Sequence, residues 1–168
     1  MFIQSETDSK FVVLDQIYDI QSDAIKGRKT FDHSPAYLAI EACAQLGAFH
    51  IRFDIGFCRH VFLINVKAFN LCPSKSLNGQ YIITGNCLSR SSDAFLYAIQ
   101  LISNAERSAY KGKFLFGVAD YDERFDQHQL SEHYQNLFSD LYVADFVSPK
   151  PKGVISNALQ KNIGMIDV

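Results

Sequence analysis

No cluster of basic residues occurs in this 168-residue chain: 16 Lys and Arg are scattered against 18 Asp and Glu, for a net charge of −2. That balance argues against a nucleic-acid partner, and Lys150-Pro151-Lys152 is too short to reverse it. C-x-x-C pairs are missing too. The four cysteines (Cys43, Cys58, Cys72 and Cys87) lie far apart, and no histidine stands at metal-ligand spacing from them. Neither a metal nor a cofactor is expected. The thiols read as reduced, which makes the cytoplasm the expected compartment. The opening MFIQSETDSK lacks the basic-then-apolar order of a signal peptide, and no apolar run approaches the length of a membrane span. Tryptophan is absent, but fourteen Phe, eight Tyr and an apolar fraction of 48% exclude the disordered regime and suffice for a real core. There is no internal repeat and no low-complexity segment.

What is present is an orderly alternation of elements. Phe11–Ile20 is rich in β-branched and aromatic residues and predicts a strand; Ala24–Asp32 predicts a weaker second one. Ser34 and Pro35 then have the form of a helix start, a capping hydroxyl followed by proline at the first helical position. The helix is expected to run to about Phe53 and to stop at Asp54-Ile55-Gly56. Strands are predicted over Val61–Leu71, closed by Cys72-Pro73-Ser74, and then over Tyr81–Leu88, Ala94–Ser103 and Ala109–Ala119. In the last of these Tyr110, Gly112, Phe114, Phe116 and Val118 share one face, and Lys111 and Lys113 take the other. Leu130, Tyr134, Leu137, Phe138, Leu141 and Tyr142 recur at helical spacing, so His128–Ala144 predicts a second, amphipathic helix.

The stretch Phe31–Phe53 holds the best lead to chemistry. Its helix is apolar almost all round, yet carries Glu41 in its first half, with His33 just before it. A carboxylate in such a segment is costly unless something pairs or uses it. Glu41, Gln45 and Arg52 fall in one narrow stripe of the helix. The bland reading is a solvated strip with an exposed Glu41–Gln45 contact; the sharp one is a proton-transfer carboxylate facing an apolar cleft. His33 is a candidate partner because imidazole titrates near neutrality. His50 and His60 read as surface or satisfied core residues, and His128 and His133 carry no signal. Cys43 has no partner that would activate it. One helix followed by a meander of four strands, each expected beside the next, calls for an α+β fold: a curved antiparallel sheet wrapped around a long central helix, plus a C-terminal amphipathic helix. Apolar surface left on the helix favours a homodimer.

This element order, with Glu41-Ala42-Cys43-Ala44-Gln45 on the central helix, is similar to the hot-dog fold. It resembles most the bacterial 3-hydroxyacyl-[acyl-carrier-protein] dehydratases, whose helix carries E-A-x-A-Q; Phe62–Phe69 resembles the strand that follows in that family. The resemblance spans roughly residues 11–120. It divides the chain into a hot-dog domain over 1–125, a helical appendage over 126–146, and a linker and flexible tail over 147–168. It implies that Glu41 and His33 exchange protons as water leaves a 3-hydroxyacyl thioester of acyl-carrier protein or coenzyme A. Pro35, Ala36, Tyr37 and Gln45 would line the substrate site, with helix-start amides polarising the carbonyl. The family's G-H-F-P loop is not present: this chain reads Phe31-Asp32-His33-Ser34-Pro35, and Ala36 stands where the family has glycine. Two other readings stay open, a thioesterase in which the helix carboxylate positions water and a non-catalytic acyl- or partner-binding module.

Overall fold

The structure is a computed structural model that describes residues 12–70, 75–103, 105, 109–122 and 126–143. Its elements follow in the order β1 (Gln16–Ile20), β2 (Ala24–Ser34), α1 (Leu38–Asp54), β3 (His60–Lys67), β4 (Leu77–Arg90), β5 (Ala94–Ser103), β6 (Ala109–Ala119) and α2 (Gln127–Leu141). The six strands form one antiparallel sheet in the order β1-β2-β4-β5-β6-β3. The predicted elements are all present, and the fold is α+β with a long helix lying on one face of the sheet.

Period-two patterning decides which face is covered. On β5 every second residue (Phe95, Tyr97, Ile99, Leu101, Ser103) is buried, and on β6 Tyr110, Phe114, Phe116 and Val118 are buried while Lys111 and Lys113 are exposed. The inward rings interlock edge to face, Tyr97 on Phe116 at 5.8 Å. Helix α1 presses Ala39, Ala42, Cys43, Leu46 and Gly47 into this surface. Gly47 is required by the closeness: a Cβ there would stand 2.7 Å from Cζ of Phe116. A mid-helix glycine weakens the isolated helix, so here packing overrides propensity.

Three expectations are corrected. The Ser34 and Pro35 start is displaced: Ser34 ends β2, its hydroxyl donates to the Asp32 carbonyl, and α1 begins only at Leu38 after a turn, capped at Tyr37 without a side-chain bond. The first strand begins at Gln16, residues 12–15 lying outside it, and Phe11 falls outside the described residues. Finally, β3 does not pair with β4, the strand that follows it; it crosses to the far edge and pairs with β6. The Cys72-Pro73-Ser74 closure and the tail over 147–168 lie outside the described residues.

Helix α2 joins the same core. Asp126 caps it, accepting from the Gln129 amide at 3.0 Å. Phe138 and Leu141 are buried, and the Phe138 ring meets Phe49, Phe53 and Phe57 at 6.2, 5.3 and 5.6 Å. Its end is tied to the sheet edge, where the Val143 amide donates to the Ile17 carbonyl at 2.9 Å.

Candidate functional site

Between α1, β3 and α2 runs a cavity of about 380 Å³. Ala44, Ala48 and Phe49 form its helix wall, Val61, Phe62 and Leu63 its strand wall, and His133, Tyr134 and Leu137 its cover. The polar stripe of α1 opens into it: Glu41, Gln45 and Arg52 all line it. Burial grades along the stripe, from exposed Glu41 through half-buried Gln45 to Arg52 at 6% exposure. Of the two readings of this stripe, neither holds throughout. Glu41 is exposed at the rim and Arg52 lies deep in apolar surroundings.

Glu41 is held in place. Its Oε1 accepts from Nε2 of Gln45 at 2.8 Å, and Oε1 of Gln45 in turn accepts from the Val13 amide at 2.8 Å. The second bond fixes the Gln45 amide so that its NH₂ end faces the carboxylate. Among the described residues this leaves Oε2 of Glu41 for a further partner, on a carboxylate oriented at the rim of an apolar chamber.

Arg52 has unusual surroundings. Its Nη2 donates to the Val61 carbonyl at 2.8 Å, and its guanidinium carbon sits 3.8 Å from the centroid of the Tyr134 ring. Stacking of this kind is favourable for guanidinium. Among the described residues its buried Nε has no acceptor and no carboxylate pairs with it. Burial pushes its pKa down, against partly offsetting contributions from Tyr134 and Tyr121.

The remaining predicted residues divide. At the helix start the Leu38 and Ala39 amides turn back to the carbonyls of Pro35 and Ala36, at 3.1 and 3.0 Å. No carbonyl among the described residues accepts from the amides of Ala36 and Tyr37, as expected just before a helix N-terminus, but Pro35, Ala36 and Tyr37 do not line the cavity. Ala36 is buried and the Tyr37 side chain is exposed. His33 is not brought to the cavity. The β2–β4 register shifts between Phe31 and Ser34, and the intervening bulge puts His33 in the left-handed region (φ 43°) with its side chain 79% exposed, 3.9 Å from the Asp32 carboxylate.

His50 is a satisfied core residue. A carbonyl can only accept, so Nε2 must carry the proton it donates to Gln21 O at 2.8 Å; Nδ1 then accepts from the Tyr97 hydroxyl at 2.8 Å. Burial holds its pKa below the usual histidine range, the Gln21 bond opposing in part. Cys43 is fully buried and burial pushes its thiol up, away from a nucleophile's range. Sequence reasoning gave no signal for His133 and gave Arg52 only its place on the stripe. His133 has no distinguishing neighbour in sequence, and Arg52's burial depends on where α2 docks. The adjacent Tyr134 and Leu137 mark that face of α2 as the covering one.

Comparisons with known proteins bear on the architecture. No protein-family model matches the chain, and no curated protein matches it significantly. Solved structures do. The dehydratase heterocomplex ApeI:P from Xenorhabdus doucetiae superposes with a TM-score of 0.53 at 14% identity, covering 70% of this chain and 88% of that one. The chain has the hot-dog fold. A thioesterase from Haemophilus influenzae aligns with a TM-score of 0.52 at 11% identity, over 62% of this chain and 77% of its own. A hypothetical thioesterase with coenzyme A from Streptococcus pneumoniae aligns with a TM-score of 0.50 at 13% identity, over 64% and 88%. This hot-dog chain therefore shares its architecture with a dehydratase and with thioesterases at identities that speak for the fold alone.

Proposed function

We propose that this protein acts on acyl thioesters, presented by acyl-carrier protein or coenzyme A, and that its reaction is the dehydration of a 3-hydroxyacyl thioester. The observation that carries this reading is Glu41: a carboxylate oriented by Gln45 at the mouth of an apolar cavity, on a helix preceded by the Ala36 and Tyr37 amides, which no carbonyl of the described residues takes. The acyl chain lies in the cavity, and the thioester carbonyl accepts from the Ala36 and Tyr37 amides. Those donors favour the enolate that forms when the C2 proton is removed. The C3 hydroxyl departs as water once it receives a proton. Glu41 takes one of these two proton transfers and a histidine takes the other.

A homodimer is part of the proposal. β3 is an edge strand with Phe62, Leu63 and Ile64 exposed at 41, 40 and 53%, a row that invites a second copy of the chain. In such a dimer the histidine is His33 of the second copy.

Hydrolysis is the second reading, favoured by the exposure of His33 outside the cavity, because a lone oriented carboxylate suffices to position water. One experiment separates the two. Incubation with a crotonyl thioester and with a saturated acyl thioester is expected to give hydration of the first and no thiol release from the second. Thiol release from the saturated substrate would install hydrolysis in its place. Inertness toward both would leave a non-catalytic acyl-binding module.

A further inference from the structure

Arg52 poses a problem that the proposed reaction does not use. Eleven residues separate it from Glu41, about 16 Å along a helix at 1.5 Å per residue. It therefore stands at the opposite end of the cavity from the Glu41 mouth. A buried cation is costly without a counter-charge. Among the described residues Arg52 receives one carbonyl, the ring face and hydroxyl of Tyr134 and the negative end of α1, but no carboxylate. An apolar side chain would fill the same volume between Phe49, Val61 and Tyr134 at no electrostatic cost. Arg52 nonetheless lines the chamber, and among the described residues its buried Nε–H has no acceptor.

We propose that the deep end of the cavity is a subsite for a carboxylate borne on the far end of the acyl chain, with Arg52 as the specificity-determining residue. The ligand class is a medium-chain dicarboxylic acid joined to its carrier through one carboxyl group. The thioester end sits at the start of α1 and the free carboxylate meets the guanidinium. Pantetheine phosphates are the other anions such a ligand carries, but they extend from the thioester sulfur, at the opposite end of the cavity. The assignment rests on reading the cavity as an acyl groove.

Calorimetric titration of the full chain with two neutral-headed esters, monomethyl suberate and methyl octanoate, tests the idea without requiring turnover. A charge-assisted hydrogen bond contributes about 1.5–3 kcal/mol, so monomethyl suberate is expected to bind roughly 10- to 150-fold more tightly at pH 7. In Arg52→Gln, which keeps donors and approximate bulk, the preference is expected to vanish. Arg52→Lys keeps the charge and should retain part of it, which guards against a Gln variant that does not fold. Equal affinities in the unsubstituted protein, or a preference that survives Arg52→Gln, would overturn the subsite. Binding of neither ester overturns the acyl groove and the subsite together. A preserved preference in a protein inert toward every thioester would sink the proposed reaction and leave the subsite standing.

Discussion

Replacing Tyr97 by Phe tests the tautomer assigned to His50 and, with it, the claim that this histidine is structural. Tyr97 and His50 are 2% exposed, and the Tyr97 hydroxyl is the donor that Nδ1 accepts from. The variant keeps the ring, its edge contact with Phe116 and its burial, and removes one oxygen. The buried Nδ1 then loses its partner. Leaving a buried acceptor unsatisfied costs about 1–3 kcal/mol. In a domain of this size that is roughly 2–12 °C of melting temperature, at about 2–4 °C per kcal/mol. The assay is thermal unfolding of both proteins by circular dichroism at pH 7.5. Acid provides a second arm. His50 has a folded pKa below its unfolded value, so the unfolded chain binds the proton first. The stability held by the neutral ring is complete above about pH 6.5 and falls as the pH drops toward the folded pKa. The decline should be reduced in His50→Gln, which cannot take the proton. A Tyr97→Phe protein melting with the parent, or an acid decline undiminished in His50→Gln, would refute the reasoning.

Three further perturbations probe the fold and site. Glu41→Gln should lower kcat by about 10²- to 10⁴-fold, the span of general acid–base catalysis, while shifting unfolding by no more than about 0.5 kcal/mol, because the side chain is exposed; undiminished turnover would remove Glu41 from the chemistry. Gly27→Ala puts a Cβ 2.7 Å from the Gln16 carbonyl oxygen and 2.9 Å from Cδ1 of Leu46. The first of these atoms is backbone in a paired strand, so urea denaturation should register a loss of about 1–3 kcal/mol; an unchanged midpoint would contradict the β1–β2 packing. Ile64→Lys on the β3 edge should convert a dimer to a monomer in sedimentation velocity without changing the far-ultraviolet spectrum, and a parent protein that sediments as a monomer at micromolar concentration defeats the dimer.

The fold was legible because its signals are local. Inward aromatics at every second position of β5 and β6, and the apolar breadth of α1, declare themselves within ten or twenty residues. The pairing of β3 was not, since a strand's neighbour is set by where the whole sheet closes; Val61–Lys67 reads alike whether it lies beside β4 or beside β6. The displaced helix start has a similar origin. Ser34 and Pro35 carry a good capping signature, but β2 continues through Ser34 by pairing it with Leu77, and that ladder contact outcompetes the cap. Of the candidate site, Glu41, Gln45 and the helix-start amides were visible as a motif. His33 was visible only as a residue type near the helix, and the bulge that throws it outward is a property of register.

The stripe of α1 shows why surroundings outrank spacing. Glu41, Gln45 and Arg52 share one helical face, yet they meet the mouth, the wall and the depth of one cavity, because α2 crosses the Arg52 end and not the Glu41 end. Without α2 the helix would present a solvated strip and Arg52 would reach water. With Phe138 seated among Phe49, Phe53 and Phe57, the strip becomes a chamber and Arg52 loses its solvent. The ring that shields it, Tyr134, offers a π-face but no counter-charge. A segment outside the family resemblance thus builds the deep end of the cavity. Differences in acyl-chain preference between this chain and other hot-dog proteins are accordingly expected to map to α2 and Arg52, and not to the E-A-x-A-Q stretch on which the resemblance rests.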